Sequence, residues 1–444
     1  MLEEFASLIS DLEFDSLGTE ALGAVRLHTL DTIGAWISGS HSTEGVAARR
    51  LGAQLGRPTT NSVLDSVAEA CASARLTEMD DIHMESCTTP GSVVVPTVLI
   101  LSARSGRPDS KSLAVAIAAG YEAITRLGRA VDGAFITYKG VWPTYLCAAF
   151  GSAAASAKLY GLGRDKTAQA LALALSMTSS VVGRSEGGVP GRWLAMGRAA
   201  GNGVLAALMS RDGFTGDLRA LDGPDIKSTP GVAFKSGELM ATPSAPLAVS
   251  ETSLKAYCSA KQTMAAVEAF DSILKKGLKP ETVETVHVWV PEYYRGMIDH
   301  QGKPGQRLSR ISSLPDRLSA VAYRQGDLLG PDQGRRPSKM MSELAGKVSI
   351  SSERRLGQYY PTAWPARVRV DSAMGRFEAE VIHCFGDPGR RMDGDQLSRK
   401  FTNQTRGIIG PTEANLFMRH AEALPSPSSV RQLLALLREV VGGF

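Results

Sequence analysis

The sequence lacks the patterns that mark several classes of protein. Its 444 residues include five cysteines, which are dispersed and form no CxxC pair. An odd, scattered set predicts reduced thiols and a cytoplasmic protein rather than a disulfide framework. No HExxH or similar ligand spacing is present either, so we expect neither a metal nor another cofactor.

Long apolar runs and a strong net charge are also missing. No stretch reaches the length of a membrane span, and the acidic, amphipathic residues 1–14 are unlike a signal peptide. The 49 basic and 45 acidic residues leave a formal net charge of +4. This excess is too small and too dispersed to indicate a nucleic-acid partner. The 43% of hydrophobic residues is typical of a globular protein.

Residues 1 to about 245 are rich in alanine, glycine, leucine and serine, and their apolar residues follow helical spacing. The predicted helices are Leu22–Ile37, Val67–Arg75, Pro96–Ser105, Ser112–Arg129, Leu146–Tyr160, Thr167–Val181 and Met196–Arg211. The run of small residues Ala148–Ala155 predicts that helices approach one another closely here.

The composition changes after about residue 250, where alternation of period two appears. Thr282–Val290 is predicted to be a strand, and Pro365–Val370 with Arg376–Cys384 to be a β-hairpin. Further predicted segments are a helix at Ala260–Lys276, a helix at Leu314–Tyr323, a loop-rich stretch at Gly326–Lys339 and a helix at Ser428–Val441. We therefore predict a mainly α protein. Residues 1–250 and 395–444 form a large all-α helical domain, and residues 251–394 form a smaller α+β lid domain.

Short motifs occur in a recognisable order over nearly the whole chain. They are Leu30–Trp36, Asp80–His83 with Pro90–Thr97, Gly120–Glu122 with Arg126–Gly128, Phe150–Ala155 with Leu159–Leu162, Gly197–Gly203, Gly213–Gly216, Lys255–Tyr257 and Tyr360–Pro361. Together they resemble the MmgE/PrpD superfamily, which includes 2-methylcitrate dehydratase, cis-aconitate decarboxylase and iminodisuccinate epimerase. The resemblance implies homodimers with an active site in the cleft between the two domains.

The resemblance also implies a reaction that removes a proton next to a carboxylate or leaves a carbanion there. Such chemistry needs an acid, a base and cations that hold carboxylates. Three positions that are histidine in the family are Thr89, Trp142 and Met264 in this chain. The cationic positions persist as Arg192, Lys255 and Lys261, and Tyr257 is retained. Arginine binds a carboxylate bidentately but does not shuttle protons.

Other titratable residues are candidates to replace the lost imidazoles. Asp80 and Asp81 either brace the loop or, if burial shifts one pKa, supply a base. His83 fits a packing role as well as a catalytic one. Asp316, which replaces a tyrosine of the family, introduces a possible base or pairs with Arg310 or Arg317. Lys139, Tyr138 and Lys261 are candidates for a replacement acid, and Thr89 is limited to hydrogen bonding.

We therefore expect a divergent lyase or isomerase that acts on a small organic acid. Arg192, Lys255 and Lys261 would bind its carboxylate or enolate oxygen. Two alternatives remain open. The first is a biosynthetic tailoring enzyme for a bulkier, more apolar substrate, with Trp142, Trp193 and Met264 as the wall. The second is a catalytically silent paralogue that binds a ligand.

Overall fold

The computed structural model describes the chain except for residues 55–61, 106–108, 179–190, 223–233, 241–245, 304–305, 324–329, 331–335 and 443–444. The chain divides into two compact units. Unit 1 is built from Met1–Gly183, Gly191–Thr252 and Gly394–Phe444, and unit 2 mainly from Ser253–Asp393. No helix in the described ranges is long and apolar enough to cross a membrane.

The first part of unit 1 is a succession of helices. They are α1 (Leu2–Ser10), α2 (Gly18–Ser40), α3 (Thr43–Gln54), α4 (Val63–Leu76), α5 (Pro90–Arg104), α6 (Ser110–Ala130), α7 (Gly133–Ile136), α8 (Pro143–Leu159), α9 (Arg164–Ser176), α10 (Gly191–Arg211) and α11 (Ser236–Met240). The predicted helix Thr167–Val181 is too long, because α9 ends at Ser176. Just beyond it, the Thr178 hydroxyl donates to the Leu146 carbonyl of α8 at 2.6 Å.

Small residues let the central helices of unit 1 pack closely, as the sequence predicts. Helix α8 packs against both α6 and α10, and α10 also packs against α4. At Gly203 of α10, an added Cβ would lie 2.1 Å from the Ala149 carbonyl oxygen of α8. A side chain at this position would therefore push the two helices apart.

Unit 2 combines helices with one sheet. Its elements are α12 (Lys261–Lys275), β1 (Val283–Val290), α13 (Glu292–Ile298), α14 (Arg307–Ser312), α15 (Leu314–Tyr323), α16 (Lys339–Ala345), β2 (Val348–Ser352), α17 (Arg354–Gly357), β3 (Ala366–Ser372) and β4 (Gly375–Val381). Most of the predicted loop segment Gly326–Lys339 lies outside the described residues. The predicted mainly α fold with a smaller α+β part is confirmed.

The sheet has four strands in the order β2-β1-β3-β4. Strand β1 pairs in parallel with β2 and antiparallel with β3, and β3 and β4 form the predicted hairpin. Buried Val286 and Val288 of β1 lie opposite buried Val370 and Val368 of β3. The hairpin's second strand ends at Val381, earlier than the predicted Cys384, because the Cys384 amide donates to the Asp387 carboxylate instead of continuing the ladder. Strand β2 was not predicted.

The chain returns to unit 1 with three helices, α18 (Gly394–Thr405), α19 (Pro411–Glu422) and α20 (Pro427–Val441). Helices α18, α19 and α20 all pack on α2. Leu397, Phe401, Phe417 and Leu437 are buried in this contact region, which places the C-terminal helices on the core of unit 1.

Candidate active site

Residues 77–89 of unit 1 connect α4 to α5 and carry the predicted acids. Helix α4 ends at Leu76, and Glu78 adopts a left-handed conformation with φ of 56°. Such a conformation costs an L-residue roughly 1–2 kcal/mol, so surrounding contacts must hold it. It turns the chain sharply, and the Glu78 side chain points back to the last turn of α4, where Arg75 lies.

Arg75 binds two acids of this connection. Its Nη1 lies 2.6 Å from Glu78 Oε2 and 3.1 Å from Asp80 Oδ1. All three side chains are buried. Burial acts to lower the pKa of Arg75, but Asp80 and Glu78 outweigh it and raise the pKa above its usual value. Arg75 therefore holds the two carboxylates together as a fixed cation.

A second arginine lies beside the same acids. Arg192, near the start of α10, has its guanidinium carbon 4.2 Å from the ring centroid of Trp193 and 5.5 Å from that of Trp142. Its Nη2 lies 4.0 Å from Glu78 Oε1, which is too long for a hydrogen bond. Burial lowers the pKa of Arg192 to about 10, with Arg75 adding to the effect and Glu78 opposing it. Arg192 thus stays charged near neutral pH.

The two indoles complete this group. Trp142 and Trp193 meet edge to face with ring centroids 6.4 Å apart, and the Arg75 guanidinium lies 5.7 Å from the Trp142 ring. We call Arg75, Glu78, Asp80, Trp142, Arg192 and Trp193 the arginine–tryptophan cluster. It combines two cations, two acids and two large apolar faces, a composition that suits an anionic group joined to an apolar body.

Thr89 immediately precedes α5 and contacts the first turn of α8. Its amide donates to Thr144 Oγ1 at 3.1 Å, and its hydroxyl lies 3.1 Å from Ser92 Oγ. Thr144 follows Trp142 by two residues, so these contacts tie the start of α5 to the segment that carries the indole. The buried hydroxyl can orient a neighbour but cannot act as a base.

Asp81 has different surroundings from Asp80. Its Oδ2 accepts hydrogen bonds from Tyr121 Oη at 2.6 Å and lies 2.8 Å from His28 Nδ1, and its Oδ1 accepts from the Gly91 amide at 2.9 Å. An added Cβ at Gly91 would lie 2.7 Å from Asp81 Oδ2, so glycine is needed for this close approach. Asp81 therefore joins α2, α5 and α6, and the bracing role fits it better than the catalytic one.

His83 is buried in a tight turn of its own. Its Nδ1 accepts a hydrogen bond from the Ser86 amide at 3.3 Å and lies 3.0 Å from Ser86 Oγ. Burial, together with the positive charge of Arg129, lowers the pKa of His83 to about 3, against a smaller opposing effect of Asp81. A neutral imidazole with this pKa is a weak base, so the packing role is favoured.

In unit 2, Lys261 is committed to a buried ion pair. Its ammonium donates to Asp387 Oδ1, while Oδ2 of the same carboxylate accepts from the Cys384 amide at 2.8 Å. Burial acts to lower the pKa of Lys261, but Cys384 and Asp387 outweigh it and raise the pKa. Met264 follows one turn later on α12 and is fully buried. Lys261 is therefore held in unit 2 by its ion pair with Asp387.

The other predicted residues of unit 2 are also placed. Lys255 is buried, and Tyr257 is half-buried with a pKa that burial raises. Asp316 Oδ2 accepts from the Gly302 amide at 2.8 Å and from Ser313 Oγ at 2.6 Å. These two bonds fix the start of α15, and the pairing of Asp316 with Arg310 or Arg317 stays a prediction.

The cluster has two members that the sequence did not predict, and several predicted residues of unit 1 are not part of it. Arg75 and Glu78 were not singled out, although an arginine three residues before an acid at a helix end was a usable signal. Lys139 is exposed and makes no ion pair with the residues that the structure describes. The cluster thus unites Asp80, Trp142, Arg192 and Trp193 of the predicted residues, and it leaves out Asp81, His83, Thr89 and Lys139.

Comparison with known proteins identifies the family of this chain. Residues 3–226 match the MmgE/PrpD N-terminal domain, and residues 257–424 match the MmgE/PrpD C-terminal domain. The chain belongs to the MmgE/PrpD family.

Among curated proteins, the chain is 25% identical over 244 residues to the cis-aconitate decarboxylase-like protein oryM of Aspergillus oryzae. That match covers 49% of this chain and 48% of that protein. The chain is also 28% identical over 230 residues to a cis-aconitate decarboxylase of Aspergillus terreus, covering 48% of this chain and 46% of the relative. The chain thus spans about half the length of the curated relatives it matches.

Proposed function

We propose that this chain is a divergent lyase or isomerase of the MmgE/PrpD family that acts on an enolizable organic acid. Arg192 binds a carboxylate of the substrate. The carboxylate of a nearby acidic residue then acts as the base and removes the proton from the carbon next to the bound carboxylate. The names of the relatives, a cis-aconitate decarboxylase-like protein and a cis-aconitate decarboxylase, support a carboxylate substrate.

The environment of Arg192 carries the proposal. Its side chain makes no hydrogen bond to any residue that the structure describes, although Trp193 and Trp142 hold its guanidinium in place. A guanidinium with unused donors in a fixed plane is suited to bidentate binding of a carboxylate. Arg75 differs, because Glu78 and Asp80 already occupy it.

The residue that accepts the proton is inferred from its distance to Arg192. Glu78 Oε1 lies 4.0 Å from Arg192 Nη2, so a carboxylate bound there would bring its α-carbon near Glu78. Glu78 is our first candidate for the base, and Asp80, bound to the same Arg75, is the second. The negative charge that develops on the enolate would be stabilised by Arg192. Thr89 would supply a hydrogen bond only.

The two indoles favour a bulkier substrate than a tricarboxylate. Trp142 and Trp193 present apolar faces beside the two arginines. The acids Glu78 and Asp80 balance the two arginine charges, so a substrate with several carboxylates would find little net attraction. This supports the second candidate function, a tailoring enzyme that cyclises, eliminates from or rearranges an acid with an apolar body.

The roles of Lys255, Tyr257 and Met264 in binding, and a homodimeric, cytoplasmic protein, remain parts of the proposal. Lys261 and Asp316 are kept as weaker candidates, because each is already bound to a neighbour in unit 2. The family resemblance supports the homodimer, which light scattering after size-exclusion chromatography would test.

The test incubates the protein in D₂O with cis-aconitate, 2-methylcitrate, iminodisuccinate and a series of aryl- and alkyl-substituted carboxylic acids. NMR would report both turnover and exchange of the proton next to the carboxylate. We expect Arg192→Ala to lower kcat/KM roughly 100-fold, the size seen when a group that stabilises an oxyanion is removed.

Arg198→Ala is the matched control, because Arg198 lies on the same helix with a side chain that is 55% exposed. This control should retain full turnover. Equal turnover in Arg192→Ala and the wild type would contradict the assigned anchor. If no acid is turned over or exchanged, the chain is a silent ligand-binding paralogue and the proposed function is wrong.

A further inference from the structure

A lysine from the C-terminal part of unit 1 binds the backbone between two acids of the arginine–tryptophan cluster. Lys400 lies on α18, and its ammonium donates to the Met79 carbonyl oxygen at 2.9 Å. The same ammonium donates to Oδ1 of Asp31 on α2. The side chains of Lys400 and Asp31 are only 2% and 0% exposed. One buried cation therefore ties the α4–α5 connection to two other helices.

The position of Met79 gives this contact its importance. Met79 stands between Glu78 and Asp80, the two acids that Arg75 binds. Glu78 is left-handed with φ of 56°, a conformation that persists only where the surrounding structure holds it. Arg75 holds the two side chains, whereas Lys400 holds the backbone between them. Without the second restraint, the carboxylates could move relative to Arg192.

Stability alone does not account for the buried pair. Replacing both members of a buried ion pair with well-packed hydrophobic residues of similar volume is often neutral or stabilising. The bond to the Met79 carbonyl, however, fixes a direction, because an ammonium shared by a carboxylate and a carbonyl sets the distance between them. The pair thus suits a role in geometry better than one in net stability.

We propose that Lys400 is a positioning residue for the arginine–tryptophan cluster, because it fixes the Met79 carbonyl against Asp31 and so keeps Glu78 and Asp80 on Arg75 and beside Arg192. The inference rests on the proposed function in taking this cluster as the site. Lys400 touches no reacting group and acts through the backbone of Met79.

The test uses the full chain labelled with 5-fluorotryptophan, whose ¹⁹F signals respond to small changes around each indole. The five tryptophans are Trp36, Trp142, Trp193, Trp289 and Trp364, and each signal is assigned with a Trp→Phe variant. Asp31→Asn combined with Lys400→Met removes both charges and leaves no unpaired ion. We expect the signals of Trp142 and Trp193 to shift by more than their linewidth, while Trp289 and Trp364 of unit 2 stay in place.

Two control variants separate positioning from general destabilisation. Glu122→Gln with Arg126→Met neutralises another buried ion pair of unit 1, formed at 2.6 Å on α6. It should leave the Trp142 and Trp193 signals in place even if the melting temperature falls. Asp31→Asn alone keeps the bond from Lys400 to Met79 and should shift these signals much less than the double variant does.

Unchanged Trp142 and Trp193 signals in the Asp31→Asn, Lys400→Met protein would overturn the proposal and leave Lys400 a structural residue. An equal shift in Asp31→Asn alone would also overturn it, because the carbonyl bond would then be irrelevant. If the double variant does not fold, Lys400→Arg serves instead, since it keeps the ion pair but displaces the donor to Met79. None of these readouts needs a substrate, so they stand apart from any failure to find turnover.

Discussion

Two adjacent carboxylates, Asp80 and Asp81, have opposite surroundings although both are fully buried. Asp81 is bonded to His28, Tyr121 and the Gly91 amide, which belong to three different helices. Asp80 is bonded to Arg75, beside Glu78 and the indole of Trp142. The two adjacent acids of one motif therefore have different roles. Asp81 joins three helices, and Asp80 belongs to the candidate site.

The cations Lys261 and Arg192 also differ in their surroundings. Lys261 is fully buried and paired with Asp387. Arg192 is 23% exposed at its side chain, where it lies against the Trp142 and Trp193 rings and 4.0 Å from the Glu78 carboxylate. A positive charge alone therefore does not mark a candidate binding residue. Among the residues that the structure describes, no hydrogen-bond acceptor occupies Arg192, and this distinguishes it from Lys261.

The largest expected effect concerns Asp81. Asp81→Asn removes the anion that His28, Tyr121 and the Gly91 amide share, and we expect the free energy of unfolding to fall by about 3–5 kcal/mol. Asp80→Asn should cost about 1–3 kcal/mol, because Arg75 keeps Glu78 as a partner. Urea unfolding followed by circular dichroism measures both. Equal losses, or a larger loss for Asp80→Asn, would remove the contrast between the two acids.

A smaller effect is expected from His83, through pH. Its pKa is about 3 in the folded protein because of burial, and about 6.5 in an unfolded chain. As the pH falls, the unfolded chain takes up the proton first, so stability is lost from about pH 6.5 down to about pH 3. Between pH 7 and pH 5 this should amount to about 2 kcal/mol.

His83→Asn offers an acceptor near the position of Nδ1 but does not titrate, so its unfolding free energy should fall less over this pH range. His41→Asn, at an exposed histidine, should leave the wild-type slope unchanged. A His83→Asn protein with the wild-type slope would show that the pKa of His83 in the folded protein is close to its value in the unfolded chain. His83 would then return to the list of candidate acids.

Much of the fold could be predicted because its signals are local. Helices such as Ser110–Ala130 and Gly191–Arg211 carry their own periodicity and small residues. Strand β2 was missed because Val348–Ser352 is short and serine-rich, and its place depends on parallel pairing with β1, some 60 residues earlier. Such long-range pairing leaves little trace in the sequence of the strand itself.

The site was harder to predict than the fold. Asp80, Trp142 and Arg192 were found because the family resemblance marks their positions. Glu78 was missed because its role depends on a left-handed backbone that turns its carboxylate back to Arg75. The bracing role of Asp81 depends on His28 and Tyr121, which are 53 and 40 residues away in the chain. These facts belong to tertiary structure, and composition and spacing do not contain them.

The smallest expected effect is that of replacing Lys139, an exposed cation, in contrast to Arg192. Lys139 lies in a short turn, Thr137–Lys139, and its side chain is exposed, whereas Arg192 is stacked on Trp193. We expect Lys139→Ala to change the free energy of unfolding by less than about 0.5 kcal/mol, as surface substitutions usually do. Turnover of any acid that the wild type converts should also be unchanged, because a mobile ammonium would lose side-chain entropy on binding. A loss of turnover in Lys139→Ala comparable with that in Arg192→Ala would show that position in the cluster does not decide which cation binds the substrate.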